Sequence, residues 1–223
     1  MKNSNVKKIA LFGAGGFGRE FAFLIEDINK KNYLWEIIGF FDDTKKDEII
    51  NDYKVLGGIE ELNKLKEELF LVIAVGDPIF KKKIVESIKN PLIRFPILIH
   101  PSVIISDRVE IGEGSIICAG NIITTNIRIG KHVIINLDCT IGHDAIINDY
   151  CSLMPSVNVS GETEMGECSY LGTGSLIINQ RKIGKNVTIG AGSSVIRNIP
   201  DNCTAVGSPA KPIKFKKIIS QKK

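Results

Sequence analysis

Histidine, methionine and tryptophan are scarce in this chain, with three, three and one in 223 residues. Chemistry that needs several converging imidazoles therefore has little to draw on, and no metal site is expected. The five cysteines, Cys118, Cys139, Cys151, Cys168 and Cys203, are odd in number and form no C-x-x-C pair. That excludes a disulfide framework and gives no zinc-ribbon spacing, so they are expected to be reduced packing residues. No apolar run approaches the roughly 18 residues of a membrane-spanning helix. The polar residues 1–5 lead into a strand rather than a signal-peptide core, so the expectation is a cytoplasmic chain without membrane insertion. Acidic residues are missing from the last 13 positions, where Lys211, Lys214, Lys216, Lys217, Lys222 and Lys223 account for more than the whole net charge of +4. The preceding 210 residues are slightly acidic, which argues against nucleic-acid binding.

At 43% hydrophobic and 24% charged residues, the composition is that of a globular chain with ample core material. Two patterns divide it. Over residues 1–95, strand-like and helix-like segments alternate. Residues 6–12 form an apolar run ending in glycines, and Phe21, Leu24, Ile25 and Ile28 then recur at helical spacing. Trp35–Phe41 reads as a second strand closed by Asp42-Asp43, 57–68 as a helix, 69–75 as a strand ending at Gly76-Asp77, and 79–89 as a helix. This βαβ series predicts a Rossmann-like parallel sheet. Gly13, Gly15 and Gly18 satisfy G-x-G-x-x-G, a weak signal alone. Fewer than 100 residues leave little room for both halves of a dinucleotide fold; a loop offering backbone N–H groups to one nucleotide's phosphates fits better.

From Ile99 every sixth residue is aliphatic, 17 times in succession to Val195. Four residues after each, the side chain is mostly small or β-branched, as at Ser115, Cys139, Ala145, Cys151, Ser169 and Ser193, and glycine often follows the aliphatic residue directly. A period of six suits neither a helix nor a hairpin series. It suits an all-β solenoid over 96–200, with short strands meeting at tight corners and a basic tail over 201–223. These residues resemble the hexapeptide repeat of the left-handed parallel β-helix acyltransferases. Three hexads per coil give between five and six coils, roughly 27 Å tall at about 4.8 Å per strand. The resemblance implies a homotrimer with acyl-CoA held between neighbours.

Each histidine can be weighed against its place in the repeat. His100, before Pro101, sits at the junction of the two patterns, where a structural role is expected. His132 occupies a corner at which Asn186 stands three coils later, so it reads as a turn residue. His143 differs: Gly142-His143-Asp144 places an imidazole beside a carboxylate at a corner where the neighbouring coils have Thr125 and Gly161. A carboxylate beside an imidazole favours the charged ring and strengthens it as a base. Acyl transfer from a thioester needs such a base, an aligned acceptor, and donors for the oxyanion; backbone N–H groups at glycine-bearing corners suit that last task.

Gly13-Ala14-Gly15-Gly16-Phe17-Gly18 after the first strand, Phe41-Asp42-Asp43 after the second, Ile73-Ala74-Val75-Gly76-Asp77 after the third, and the hexapeptide region resemble sugar acetyltransferases of the PglD/NeuD type from about Lys8 to Ile213. The resemblance implies that a nucleotide-linked 4-amino sugar contacts Gly15, Gly16, Phe17, Asp42, Asp43 and Gly76. It also implies that His143 is the general base and Asp144 raises its basicity. Ser152, Gly161, Thr173 and Ala191 fall on acetyl-CoA positions, as does Lys211 in Gly207-Ser208-Pro209-Ala210-Lys211-Pro212, although a solvated basic tail explains the later lysines equally. Such loops often carry histidine where this chain has Phe17, which can stack but cannot donate a hydrogen bond. Asn136 either orients the acceptor or stabilises its own corner. The expected activity is transfer of acetyl from acetyl-CoA to the amine of a nucleotide-linked 4-amino-4,6-dideoxy sugar in bacterial surface glycan synthesis. The alternatives are O-acetylation of a sugar such as sialic acid and a non-catalytic nucleotide-binding solenoid. A carbonic-anhydrase-like zinc site would need three converging histidines.

Overall fold

The computed structural model describes residues 6–216; residues 1–5 and the tail lysines Lys217, Lys222 and Lys223 lie outside the described residues. The chain folds as two compact units, Met1–Pro101 and Ser102–Lys223.

The first unit contains β1 (Lys7–Phe12), α1 (Gly16–Lys31), β2 (Trp35–Phe41), β3 (Ile49–Ile50), β4 (Tyr53–Lys54), α2 (Ile59–Asn63), β5 (Leu69–Ile73), α3 (Pro78–Ser87) and β6 (Ile93–Arg94). A four-stranded sheet has the order β2-β1-β5-β6, and all its pairings are parallel. Both faces are covered, as a parallel sheet with crossover helices requires. On one, Ala10, Phe12, Leu71 and Ile73 pack with Leu62 of α2 and Ile84 of α3. Ile9 and Leu11, which alternate with them along β1, are equally buried.

Three local features differ from the sequence reading. The helix expected over 57–68 spans only Ile59–Asn63. It stops early because Asn90 Nδ2 donates to the carbonyls of Leu62 (3.0 Å) and Leu65 (2.9 Å), satisfying helix-end acceptors from outside. The antiparallel pair β3–β4 was not foreseen, although Asn51 and Asp52 both adopt positive φ, the geometry of a two-residue hairpin turn. The short β6 also escaped notice.

The second unit is a left-handed parallel β-helix. Its strands stack with a register of 18 residues into three sheets. The first runs through Ile116–Ile117, Ile134–Ile135, Ser152–Leu153, Tyr170–Leu171 and Thr188–Ile189. The second runs from Ile104–Ile105 through Thr140–Ile141 to Ser194–Val195, and the third from Val109–Ile111 to Lys182–Ile183. Every one of these strands ends on a residue of the six-residue period, and from Ile117 to Val195 those residues are buried. The small positions fill the space beside them. Ser115 Oγ and Ser169 Oγ each donate to a corner carbonyl at 2.8 Å, while Cys151 Sγ donates to Gly166 O at 3.2 Å. All five cysteines are buried free thiols, and burial pushes the Cys139 thiol up to about 11. The last coil is two residues shorter, pairing Thr188 with Thr204. Within the segment read from the sequence as a tail, Cys203–Val206 extends the first sheet and Lys211–Phe215 returns antiparallel against it.

Candidate active site

In the first unit, the glycine loop follows directly from the end of β1. Gly13 has φ +104°, and a side chain there would meet Ala74 O at 2.9 Å. A side chain at Gly18 would collide with Gly13 O, so this glycine lets α1 approach the loop. α1 has Gly15 at its N-cap, with no side chain capping it, and space is open where side chains at Gly15 and Gly16 would stand. Unsatisfied N–H groups at a helix start favour an anion. Phe17 lies against Gly76, 3.4 Å from where a Cβ would be, and edge-on to Phe21.

Asp42 and Asp43 both have partners within the protein. Asp42 Oδ2 accepts the Ala14 N–H at 2.9 Å, and its Oδ1 accepts the backbone N–H and hydroxyl of Thr44. Lys45 Nζ donates to Ala14 O at 3.2 Å, so the residue at the head of the loop is gripped through both its N–H and its carbonyl. Asp43 Oδ1 accepts the Ile59 N–H at 2.9 Å and so caps α2. Burial raises the Asp42 carboxyl, but the hydrogen bonds from Ala14 and Thr44 outweigh it and hold the group below its ordinary value. A lowered carboxyl strengthens the loop above the ordinary range and loses that contribution as pH falls through the lower folded-state value. At neutral pH, Asp42→Ala is expected to move the Ala14 amide proton upfield by NMR. In the parent chain the same displacement appears only below about pH 4, the ordinary carboxylate value.

In the second unit, His143 stands at the corner between the second and third sheets. Its side chain is 58% exposed, and Nδ1 lies 2.8 Å from Asp144 Oδ2. Asp144 has φ +59°, like Asn126, Glu162 and Gln180 at the same point of neighbouring coils, so the corner geometry aims its side chain. Its N–H donates to Thr125 O at 3.1 Å. The hydrogen bond from His143, reinforced by one from the Asn126 side chain, holds the Asp144 carboxyl below its ordinary value. An ionised carboxylate only accepts, so Nδ1 is the donor, and in the neutral ring that tautomer leaves the lone pair on Nε2. Gly161, one coil further on, lies beneath the ring: a Cβ there would come within 2.6 Å of Nε2.

The other histidines have structural surroundings. His132 has φ +52°, matching Asn186 at +55°, and stacks on Tyr150 with centroids 5.3 Å apart. His100 Nε2 lies 3.2 Å from Asp27 Oδ2. Among the described residues, no group of three His, Cys, Asp or Glu is placed to hold a metal ion.

The remaining sequence-selected residues are dispersed over the solenoid. Asn136 is at the previous corner, 3% exposed, with Oδ1 accepting the Leu137 N–H at 2.7 Å. Thr173 and Ala191 are exposed on that same earlier corner, one coil apart, linked by Gly192 N–H to Thr173 O at 2.9 Å. Ser152 is buried in the first sheet, and Lys211 is exposed on the final strand. Sequence reasoning missed Asn126, Thr44 and Lys45. Asn126 was discoverable, since it stands 18 residues, one full coil, before Asp144.

Residues 8–88 match the PglD N-terminal domain family. The chain is 32% identical to the acetyltransferase domain of PglB from Neisseria gonorrhoeae, solved with acetyl coenzyme A, with a TM-score of 0.85 over 93% of this chain and 100% of that one. It is 27% identical to a perosamine N-acetyltransferase from Caulobacter crescentus, solved as a histidine-to-asparagine variant with CoA and GDP-perosamine, with a TM-score of 0.83 over 93% and 97% of the two chains. It is also 28% identical to GDP-perosamine N-acetyltransferase of Escherichia coli O157:H7, over 92% of this chain and 95% of that protein. No described helix is long and apolar enough to cross a membrane. A glycine loop on a parallel sheet, a hexapeptide solenoid with one carboxylate-paired exposed histidine, and these likenesses over nearly the whole length lead to one conclusion: the chain is an acyltransferase and belongs to the PglD/NeuD-type sugar acetyltransferase family.

Proposed function

We propose that the protein transfers acetyl from acetyl-CoA to the amine of a nucleotide-linked 4-amino-4,6-dideoxy sugar, in bacterial surface glycan synthesis in the cytoplasm. The observation that carries the proposal is the exposed His143 imidazole, fixed by Asp144 with Nε2 left as the basic nitrogen. The acceptor amine attacks the thioester carbonyl carbon, forming the C–N bond, and Nε2 takes the amine proton. The tetrahedral intermediate then collapses, the C–S bond breaks, and the sulfur leaves as CoA thiol with the proton returned by the imidazolium.

Oxyanion stabilisation falls to corner N–H groups. The fold supplies an internal parallel: the corner N–H groups of Lys131 and Lys185 each donate to a carboxylate oxygen, of Asp149 and Asp201, at 2.8 Å. At the His143 corner, the Gly161 N–H has no hydrogen-bond acceptor among the described residues, which suits it to the developing oxyanion. Gly15, Gly16 and Phe17, with Gly76, form the nucleotide contact. Asp42 and Asp43 shape that site through Ala14 and α2. Ser152, Thr173, Ala191 and Lys211 are assigned to acetyl-CoA. Because Thr173 and Ala191 lie on a different corner from His143, the assignment calls for a homotrimer whose neighbours bring the two corners together.

The test is thiol release from acetyl-CoA with UDP-, dTDP- and GDP-linked 4-amino-4,6-dideoxy sugars and sialic acid, with products weighed by mass spectrometry. A gain of one acetyl group on a nucleotide amino sugar is expected. Gain on sialic acid alone, or an active monomer in sedimentation, would overturn the acceptor or the assembly respectively.

A further inference from the structure

We infer that Gly161 is a positioning residue for the base: the missing side chain at this point lets the His143 ring lie across the next coil with Nδ1 on Asp144. The inference rests on His143 being that base.

An added Cβ at Gly161 would stand 2.6 Å from Nε2, 2.7 Å from Cε1 and 3.0 Å from Cδ2, all on His143. The solenoid's structural glycines behave differently. At Gly142, Gly166 and Gly172 the Cβ would come to 2.5 or 2.6 Å from backbone atoms of the next coil, which cannot yield without breaking the stack. At Gly161 the obstructed atoms belong to an exposed side chain that can swing away, so a methyl group there displaces the ring and leaves the coil in place. The same corner carries Thr125 two coils earlier and Asn179 one coil later, which shows that the corner itself accepts a side chain. The solenoid's other histidine has a similar neighbour: a Cβ at Gly114 would collide with the His132 ring. Imidazole at a corner thus coincides with glycine on the adjacent coil in both cases.

Displacement matters because the ring is held by one hydrogen bond, Nδ1 to Asp144 at 2.8 Å. Moving Nε2 by about 1 Å from its working place costs on the order of 100-fold in rate. Alanine retains the Gly161 N–H, so the donor is still present.

The experiment compares Gly161→Ala, Asp144→Asn, their double variant and His143→Ala in steady-state kinetics, with a crystal structure of Gly161→Ala. The expected result is a kcat lower by about 10- to 100-fold, a KM for acetyl-CoA within about twofold, an unchanged melting temperature, and an imidazole moved off Asp144. The double variant should lose little more than the worse single variant, since both substitutions act through one ring. Parental kcat in Gly161→Ala, a rise in KM for acetyl-CoA without loss of kcat, independent effects in the double variant, or failure to fold would each overturn the inference. Full turnover in His143→Ala would instead remove the base assignment itself.

Discussion

Replacing His143 by alanine is expected to lower kcat by about 10²- to 10⁴-fold, the usual contribution of a positioned general base, while acetyl-CoA still binds in calorimetry. The prediction follows from what surrounds the ring. Nδ1 is committed to Asp144, whose carboxyl is kept ionised by that bond and by Asn126, so Nε2 is the nitrogen available to accept a proton. No other histidine can take over. His132 is 3% exposed against Tyr150, and His100 is engaged with Asp27 in the first unit. Alanine removes an exposed side chain and leaves the backbone bond from Glu162 N–H to the residue's carbonyl, so the coil stays intact. Turnover near the parental rate with the true acceptor would show that the substrate amine loses its proton by another route.

The second large effect is on stability. Leu153→Ala is expected to destabilise the protein by about 2–5 kcal/mol in urea denaturation. Leu153 is fully buried and stacks between Ile135 and Leu171 of the adjoining coils. In a solenoid each coil is held mainly by its two neighbours, so a void in a middle coil weakens two interfaces at once. Close packing leaves little means of collapsing around it. Ile104, at the outward position of its strand and 66% exposed, offers the contrast: its replacement by alanine should change stability by no more than about 0.5 kcal/mol. Equal losses at the two positions would mean that inward stacking does not dominate this fold.

The solenoid was legible because its interior obeys a local rule. Each inward position needs an aliphatic side chain stacked on its like 18 residues away, so the period of six locates the strand ends from Ile105 to Val195. The first unit was less so. Trp35–Phe41 was foreseen residue for residue, but α2 was read seven residues too long, because only the fold brings Asn90 to its end. His143 stood out through rarity and its acidic neighbour, and His132 was recognised as a turn residue from Asn186.

The sequence by itself determined which side chains face inward, where the corners fall, and that His143 stands beside an acid, since all of these depend on neighbours along the chain or on a fixed repeat. Only the tertiary structure decided that Asn126 reaches Asp144, that Gly161 lies under the imidazole, that Asp42 grips Ala14, and that Asp43 caps α2. These contacts join residues 16 to 28 positions apart through individual side-chain directions, which hydrophobic periodicity does not encode.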